Sequence, residues 1–290
     1  MTTPSAPVTH PRSWLRIGLA AVLLACAGAL YFGHFHILPA GYSTQIYFAA
    51  HTHFRESLIA PWAASEMRPR RVDQTVSATP KVSLVQSSVQ WTTPAGEVNY
   101  ESAGLYGVNR ETRTNVGDYG NRKRTGQFLF PIHTQPQKYE LWDPYYTGPR
   151  QCLFIREEMK AGLKVFLFTC DAEDIEDTAG YTALPDVPEV FDANSDGSGY
   201  VWVEPISGVI VDFLDYGKSY FVDRESREPK GDFYWWTAWY SPETAAAQLK
   251  LAQEARRRIL LKERWLPIGL ALAAVLALIF PAAAWRPPRR

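Results

Sequence analysis

The amino-acid sequence predicts a mainly β protein: an external domain built as an antiparallel sandwich or a partly open barrel, flanked by an N-terminal and a C-terminal transmembrane helix. Two long apolar stretches without Asp, Glu, Lys or Arg predict the helices. Between them, short segments rich in Val, Thr and aromatic residues alternate with turn residues, which is typical of antiparallel strands. Two hairpins with Gly in their turns indicate that neighbouring strands pair directly.

Residues 17–38 form the first apolar stretch, which is long enough to cross a hydrocarbon layer of ~30 Å as a helix. Two alternatives involve cleavage. A secretory signal has an apolar region of about 7 to 15 residues, which is shorter than this stretch. A lipoprotein signal ending before Cys26 would leave another apolar run at the mature start. We therefore expect an uncleaved first transmembrane helix, preceded by a cytoplasmic tail at residues 1–16.

Residues 265–285 form the second apolar stretch, followed by a short tail at residues 286–290. Trp265 and Trp285 bracket this stretch, as aromatic residues bracket membrane spans at both interfaces. We therefore expect a second transmembrane helix that anchors the C-terminal end of the chain.

The distribution of cations predicts the orientation of these helices. Arg12 and Arg16 precede the first helix, and the next cation after it is Arg55, so the N-terminus is expected in the cytoplasm. The second helix then returns the C-terminal tail to the same side. Five cations at residues 256–264 oppose this orientation, because they precede the second helix on the predicted outer side. Basic side chains on a helix can lie against lipid headgroups of either leaflet.

Three segments lie between the two membrane helices. Residues 39–71 are predicted to be a juxtamembrane connector, because they are mixed in character and end in a cluster of Pro and Arg. Residues 72–240 are predicted to form the external β domain. Ser241 then begins a helix over residues 241–264 that leads to the membrane, with Ser as N-cap and Pro242 at the first helical position.

The hairpin over residues 151–171 predicts a disulfide. Its two apolar runs flank Lys160-Ala161-Gly162, which suits a three-residue turn. With Ala161 at the centre, Cys152 faces Cys170, and directly opposed residues lie within the distance that a disulfide spans. Such a bond is expected to persist outside the cytoplasm, which agrees with an external domain.

A stretch of β-domain residues resembles a calcium-binding loop. Asp192, Asn194, Asp196 and Ser198 supply oxygen ligands at alternate positions, and Gly197 suits a sharp turn. The closing glutamate of an EF-hand is out of register by one residue. The alternative interpretation is a turn rich in Asp and Asn before a strand. Calcium is the cofactor that this stretch suggests.

Two His-x-His pairs form a weaker candidate for a metal site. They are His34 with His36, and His51 with His53. Imidazole suits zinc or copper, and paired histidines on a strand point to the same side. The alternative is that they are interfacial histidines whose polar edges lie in water.

Charge and motifs exclude two classes of function. Residues 151–241 hold 18 acidic and 7 basic residues, a net charge of −11, which repels nucleic-acid phosphates. The sequence contains no nucleophile elbow, no Gly-rich phosphate loop and no His-Glu-x-x-His motif, so we do not expect an enzyme.

Several motifs resemble those of the PorA-like bacterial membrane proteins, and the resemblance covers most of residues 72–285. The most specific part is Val-Trp-Val-Glu-Pro followed by a Gly-Val-Ile-Val-Asp strand at residues 201–212. The other matching features are Phe130, Pro131, Tyr139, Trp142, Asp143, the Ala-Gly-Leu-Lys hairpin turn and the helix that leads into the terminal span. The resemblance implies a bacterial envelope protein with two anchors and an external domain. It implies no catalytic residues, and neither the cysteine pair nor the Asp-rich stretch belongs to it.

The expected localisation is the bacterial inner or plasma membrane, with both termini cytoplasmic and residues 39–264 external. The expected function is a non-enzymatic binding or structural module for a lipid, a glycan or a membrane partner. The alternative, implied by the family name, is an oligomeric channel. The expected partners are membrane lipids and either another membrane protein or further copies of the chain.

Overall fold

A computed structural model describes residues 11–33, 37–142, 144, 148–181 and 187–279. Two compact units make up the chain. One consists of Met1–Phe35 with Arg256–Arg290, and the other is His36–Ala255. Residues 1–10 of the predicted N-terminal tail (residues 1–16), the predicted tail at residues 286–290, and the end of the second predicted span after Ile279 lie outside the described residues.

The helices lie near the two ends of the chain. They are α1 (Pro11–Phe32), α2 (Pro242–Leu260), a π-helical turn (Leu261–Trp265) and α3 (Leu266–Ile279). Helix α1 packs against α3, and buried residues in these helices include Ala20, Ala27 and Ala274, whose small side chains allow close approach. Within α1, Trp14–Phe32 is long and apolar enough to cross a membrane, with a mean hydropathy of 2.0.

The β domain is one antiparallel sheet of eleven strands in the order β5-β4-β3-β2-β1-β11-β10-β9-β8-β7-β6. The strands are β1 (Ser43–Phe54), β2 (Ala63–Ala78), β3 (Val82–Thr92), β4 (Val98–Asn109), β5 (Asn115–Gly120), β6 (Tyr139–Leu141), β7 (Arg150–Lys160), β8 (Leu163–Glu176), β9 (Phe191–Glu204), β10 (Val209–Asp223) and β11 (Pro229–Tyr240). A short 3-10 turn, Thr178–Gly180, follows β8.

The mainly β, antiparallel prediction is confirmed, but the strands do not form a sandwich. Strands β1 and β11 pair from Phe48 with Tyr240 to Phe54 with Tyr234, which joins the two halves into one sheet. The sheet is not closed by pairing of its outermost strands, β5 and β6. Instead, the backbone at residues 126–128 contacts both, because Asn115 N donates to Gly126 O at 2.8 Å and Gln127 N donates to Glu140 O at 2.7 Å.

The structure also corrects the predicted connector at residues 39–71. This region contains β1 and more than half of β2, and β1 lies in the middle of the sheet between β2 and β11. Buried and exposed side chains alternate along β1, but these side chains are small or polar. Ala50 and Thr52 are buried, whereas His51 and His53 are exposed. The β domain therefore begins at Ser43 and not at residue 72.

Aromatic side chains fill the space on the inner face of the curled sheet. Met67 and Trp91 from one half pack in the same cluster as Phe221 and Phe233 from the other. The rings of Phe221 and Phe233 stack with centroids 4.2 Å apart. The outer face is covered at one end by α2, whose Ala252 packs with two valines of the sheet. Burial of these apolar surfaces is the main stabilising contribution to the fold.

Candidate functional site

The predicted disulfide is present in the structure. Cys152 on β7 and Cys170 on β8 are paired in register and bonded, with their Cα atoms 4.0 Å apart. Both residues are buried in the second aromatic cluster of the inner face. The bond therefore joins neighbouring strands within the core.

The predicted calcium residues lie on a strand and not on a loop. Asp192, Asn194, Asp196 and Ser198 occupy alternate positions of β9, so they follow one face of the strand over roughly 20 Å. Asp192 forms ion pairs with two arginines, and Ser198 Oγ donates to Asp171 Oδ1 at 2.5 Å. Asn194 and Asp196 both contact Asp174, whereas Asp192 and Ser198 have other partners, so the four side chains do not surround one point. The described residues contain no group of three His, Cys, Asp or Glu side chains placed to hold a metal ion.

The structure describes only one of the two predicted histidine pairs. His34 and His36 lie outside the described residues. His51 and His53 lie on the same, outer face of β1, and both are exposed. The ring of His51 is 5.0 Å from that of Trp239, between centroids. The strand therefore presents both imidazoles to a surface groove.

This groove has a volume of about 980 Å³ and crosses the outer face of five adjacent strands, from β1 to β8. Each strand contributes side chains to it. The lining includes His51, His53, Trp235, Thr237, Tyr216, Lys218, Asp196, Ser198, Asp171, Glu173 and Asp174. It combines aromatic rings at one end with carboxylates at the other.

Two facing glycines form the floor of the groove. Gly197 on β9 pairs with Gly217 on β10, so backbone atoms line the groove at that point. A Cβ atom on Gly217 would lie 2.3 Å from the ring of Trp236. The indole Nε1 of Trp236 donates to Asp215 Oδ2 at 2.8 Å, which fixes the ring. The floor is therefore held by close packing.

The acidic end is held by hydrogen bonds across a bulge in β8. Asp174 has a φ of 51°, and its backbone N donates to Asp196 Oδ1 at 2.9 Å. Tyr220 donates its hydroxyl to Asp174 Oδ1 at 3.0 Å, and Asn194 Nδ2 donates to the same oxygen at 2.6 Å. These contacts place the Asp174 and Asp196 carboxylates side by side at the groove.

A second cavity of about 490 Å³ extends the aromatic end. It shares His53 and Trp235 with the first and adds Arg55, Trp62 and Asp232. The rings of Trp62 and Trp235 are edge to face with centroids 6.5 Å apart, and Arg55 Cζ lies 4.9 Å from the Trp62 ring centroid. We call the two cavities together the outer groove. Trp62, Trp235 and Tyr216 are 42%, 46% and 41% exposed, so each can present a ring to a ligand.

A buried polar cluster lies on the inner face of the sheet. Tyr100 donates its hydroxyl to Asp177 Oδ1 at 3.1 Å, and Ser195 and Ser219 lie 2.8 Å apart between their Oγ atoms. Burial raises the pKa of Asp177 to about 7. The cavity beside this cluster measures about 30 Å³, space for about one water molecule. This region is packed, which distinguishes it from the outer groove.

Sequence reasoning missed most of the outer groove. It identified His51, His53, Asp196 and Ser198, but for metal binding, and it placed no site in the acidic run at residues 171–177. The run instead supplies groove residues on β8 and the buried Asp177. The aromatic strand Trp235–Tyr240 was the available signal, because its alternating residues face opposite sides of the sheet.

Comparison with known families gives one assignment. The family model described as Porin PorA matches residues 13–283, which include nearly all of α1, the whole sheet and α3. No curated protein matches the chain. The match agrees with the motifs at residues 201–212 and extends over nearly the full sequence. The chain belongs to the Porin PorA family.

Proposed function

We propose that the chain is a membrane-anchored, non-catalytic binding protein of the bacterial envelope, and that its outer groove binds a glycan. The observation that carries this proposal is the combination of exposed aromatic rings with carboxylates and imidazoles along one groove. Helix α1 and the apolar α3 supply the anchors, with both termini in the cytoplasm and the sheet outside. The Porin PorA family supports the membrane association in this proposal.

The chemistry of the groove suits a sugar. A sugar ring has an apolar face of C–H groups, which packs on a flat aromatic surface such as Trp235 or Trp62. Its hydroxyl groups donate to carboxylates and accept from imidazole N–H or ammonium groups. Asp171, Asp196 and Lys218 lie at the groove to make such bonds. A groove with aromatic walls and a few placed polar groups is typical of a ligand site.

The same residues argue against a lipid chain in the outer groove. An acyl chain cannot form hydrogen bonds, so its binding would remove water from the carboxylates of Asp171, Glu173 and Asp174 without replacement. Desolvation of ionised groups without a partner costs several kcal/mol. Of the ligand classes that a membrane-anchored module serves, a glycan fits the groove best.

The test uses the full chain in detergent micelles and an array of neutral oligosaccharides of glucose, mannose, galactose and arabinose. The expected result is binding of at least one series, weakened about tenfold or more by Trp235→Ala and by Tyr216→Ala, because aromatic anchors carry much of the energy at such sites. Tyr119→Ala is the matched control: Tyr119 is 46% exposed on β5, outside the groove. Absence of binding to every series, or equal binding by all variants, would contradict the proposal.

An oligomeric channel is the second candidate, and the description of the family favours it. Because aromatic side chains fill the inner face of the sheet, a pore would form between copies of the chain, around α1 and α3. Conductance of the purified full chain in planar bilayers tests this candidate. Stepwise conductance that persists in Trp235→Ala would favour the channel, and a flat trace would reject it.

A further inference from the structure

A strongly basic segment directly precedes α3. Residues 256–264 contain five cations and one acid. The cations are Arg256, Arg257, Arg258, Lys262 and Arg264. This density contrasts with residues 265–279, which carry no charged side chain. The chain therefore changes from strongly basic to fully apolar within one residue.

The helical segments follow one another without interruption. Helix α2 ends at Leu260, the π-helical turn spans Leu261–Trp265, and α3 begins at Leu266. The side chains of Arg257, Lys262 and Arg264 are exposed. If α3 enters the hydrocarbon layer, as the proposed membrane anchoring requires, the residues just before it lie at the level of the lipid headgroups. This placement holds for either orientation of the chain in the membrane.

Arg264 and Trp265 mark the boundary. The Cζ atom of Arg264 lies 5.6 Å from the ring centroid of Trp265, and Trp265 is 58% exposed. Tryptophan prefers the membrane interface, where its ring lies beside the headgroups. A guanidinium group next to it is placed to bind phosphate oxygens with two parallel hydrogen bonds.

We infer that residues 256–264 bind the phosphate groups of anionic phospholipids. The shared chemistry is a phosphate oxyanion recognised by guanidinium and ammonium groups, and the source is the lipid headgroup, because the apolar α3 begins at the next turn of the same helix. The inference accounts for cations that oppose the predicted topology: they serve headgroup binding and not orientation. It is independent of the glycan ligand.

The test uses the full chain in micelles of a neutral detergent, with spin-labelled phosphatidylglycerol and spin-labelled phosphatidylcholine as probes. The wild-type chain is expected to bind phosphatidylglycerol in excess, since each cation near an anionic surface contributes roughly a fivefold factor. The triple variant Arg257→Gln, Lys262→Gln, Arg264→Gln is expected to lose most of this excess. A matched triple variant of exposed cations of the β domain, Arg70→Gln, Lys81→Gln, Lys123→Gln, is expected to keep it.

Three outcomes would overturn the inference. The first is equal binding of the two lipids by the wild-type chain. The second is an excess that survives in the first triple variant or is lost equally in the second. The third is displacement of labelled phosphatidylglycerol by the same concentration of inorganic phosphate, which would mean that the segment binds free phosphate and not a headgroup. Reduced binding at high salt is expected, because exposed charges are screened.

Discussion

Cys152 and Cys170 face each other across β7 and β8 although the turn between these strands is shorter than the sequence suggested. The turn has two residues, Ala161 and Gly162, with φ values of 46° and 78°, which is the conformation of a two-residue hairpin turn. A three-residue turn centred on Ala161 was expected. The expected three-residue turn is therefore wrong, and the expected pairing of the cysteines is confirmed.

A bulge explains this outcome. Phe154 pairs with Phe168, but Arg156 pairs with Leu167, so one extra residue is inserted in β7 at Ile155. A turn centred on Ala161 would pair Glu158 with Lys164. Between the actual turn and the bulge the register differs from this by one residue, and Glu158 faces Val165. Beyond the bulge the predicted register is restored. The short turn and the bulge each shift the strand register by one residue, in opposite directions, so the two cysteines remain directly opposed.

The disulfide is expected to stabilise the β domain by about 3 kcal/mol, because it closes a loop with a sequence separation of 18 residues. Alkylation of the native chain without reductant is expected to label Cys26 alone, and reduction before unfolding is expected to lower the melting temperature. Cys26→Ser serves as control and should melt like the wild-type chain. Labelling of Cys152 without reductant would show that the bond is not formed in the native protein.

Asp177 is expected to make the free energy of unfolding depend on pH. Burial raises its pKa from 3.8 to about 7 in the folded chain, so the folded state holds the proton more tightly than the unfolded state. The stabilising contribution is complete below about pH 4 and is lost as the pH rises towards and through 7. Denaturant unfolding at a series of pH values should show a fall of a few kcal/mol over this range.

The variant Asp177→Asn should flatten this dependence, since the amide has no proton to lose. Asp118→Asn provides the matched control, because Asp118 is exposed on β5 and its replacement should keep the wild-type slope. A slope that is unchanged in Asp177→Asn would mean that another group is responsible.

Replacement of Arg150 by Met is expected to destabilise the fold by roughly 3 to 5 kcal/mol. Arg150 is 1% exposed, and its Nη2 lies 2.8 Å from Asp215 Oδ1. Its removal takes the guanidinium group away from the buried carboxylate of Asp215, which also accepts a hydrogen bond from the Trp236 indole. Chemical denaturation of the two proteins measures the difference.

Lys164→Met is the comparison for this prediction. Lys164 pairs with Glu157 at 2.6 Å, but both side chains are about half exposed, so the change should stay within about 1 kcal/mol. Similar losses in the Arg150 and Lys164 variants would contradict a special role for the buried pair.

Gly217→Ala is expected to lower stability by roughly 1 to 3 kcal/mol and to weaken ligand binding. The added methyl group would meet Trp236 at 2.3 Å and the backbone oxygen of Asp196 at 2.4 Å, so the groove floor would have to move. Gly41→Ala, which meets no atom within 4 Å, should leave both properties unchanged. Thermal melts and oligosaccharide titrations of the two variants check this prediction.

Local patterns in the sequence predicted the disulfide and many of the strands but not the order of the sheet. The apolar runs of β3 or β8 can be recognised from neighbouring residues, whereas the pairing of Phe48 with Tyr240 joins residues far apart in the chain. The same limit explains the connector: β1 is recognisable only once β11 lies beside it. The burial of Asp177 could not be predicted for a related reason: it depends on Tyr100, which comes from β4. The outer groove, made from five strands, could not be seen in any one segment.

The measurement that tests the central claim most directly is an oligosaccharide titration of the full chain, followed by the fluorescence of its tryptophans, for the wild type and for Trp235→Ala. The outer groove account predicts saturable binding to the wild type and a loss of affinity of about tenfold or more when the indole is removed. Saturable binding of the same affinity in Trp235→Ala would place the ligand elsewhere and would contradict the assignment of the outer groove.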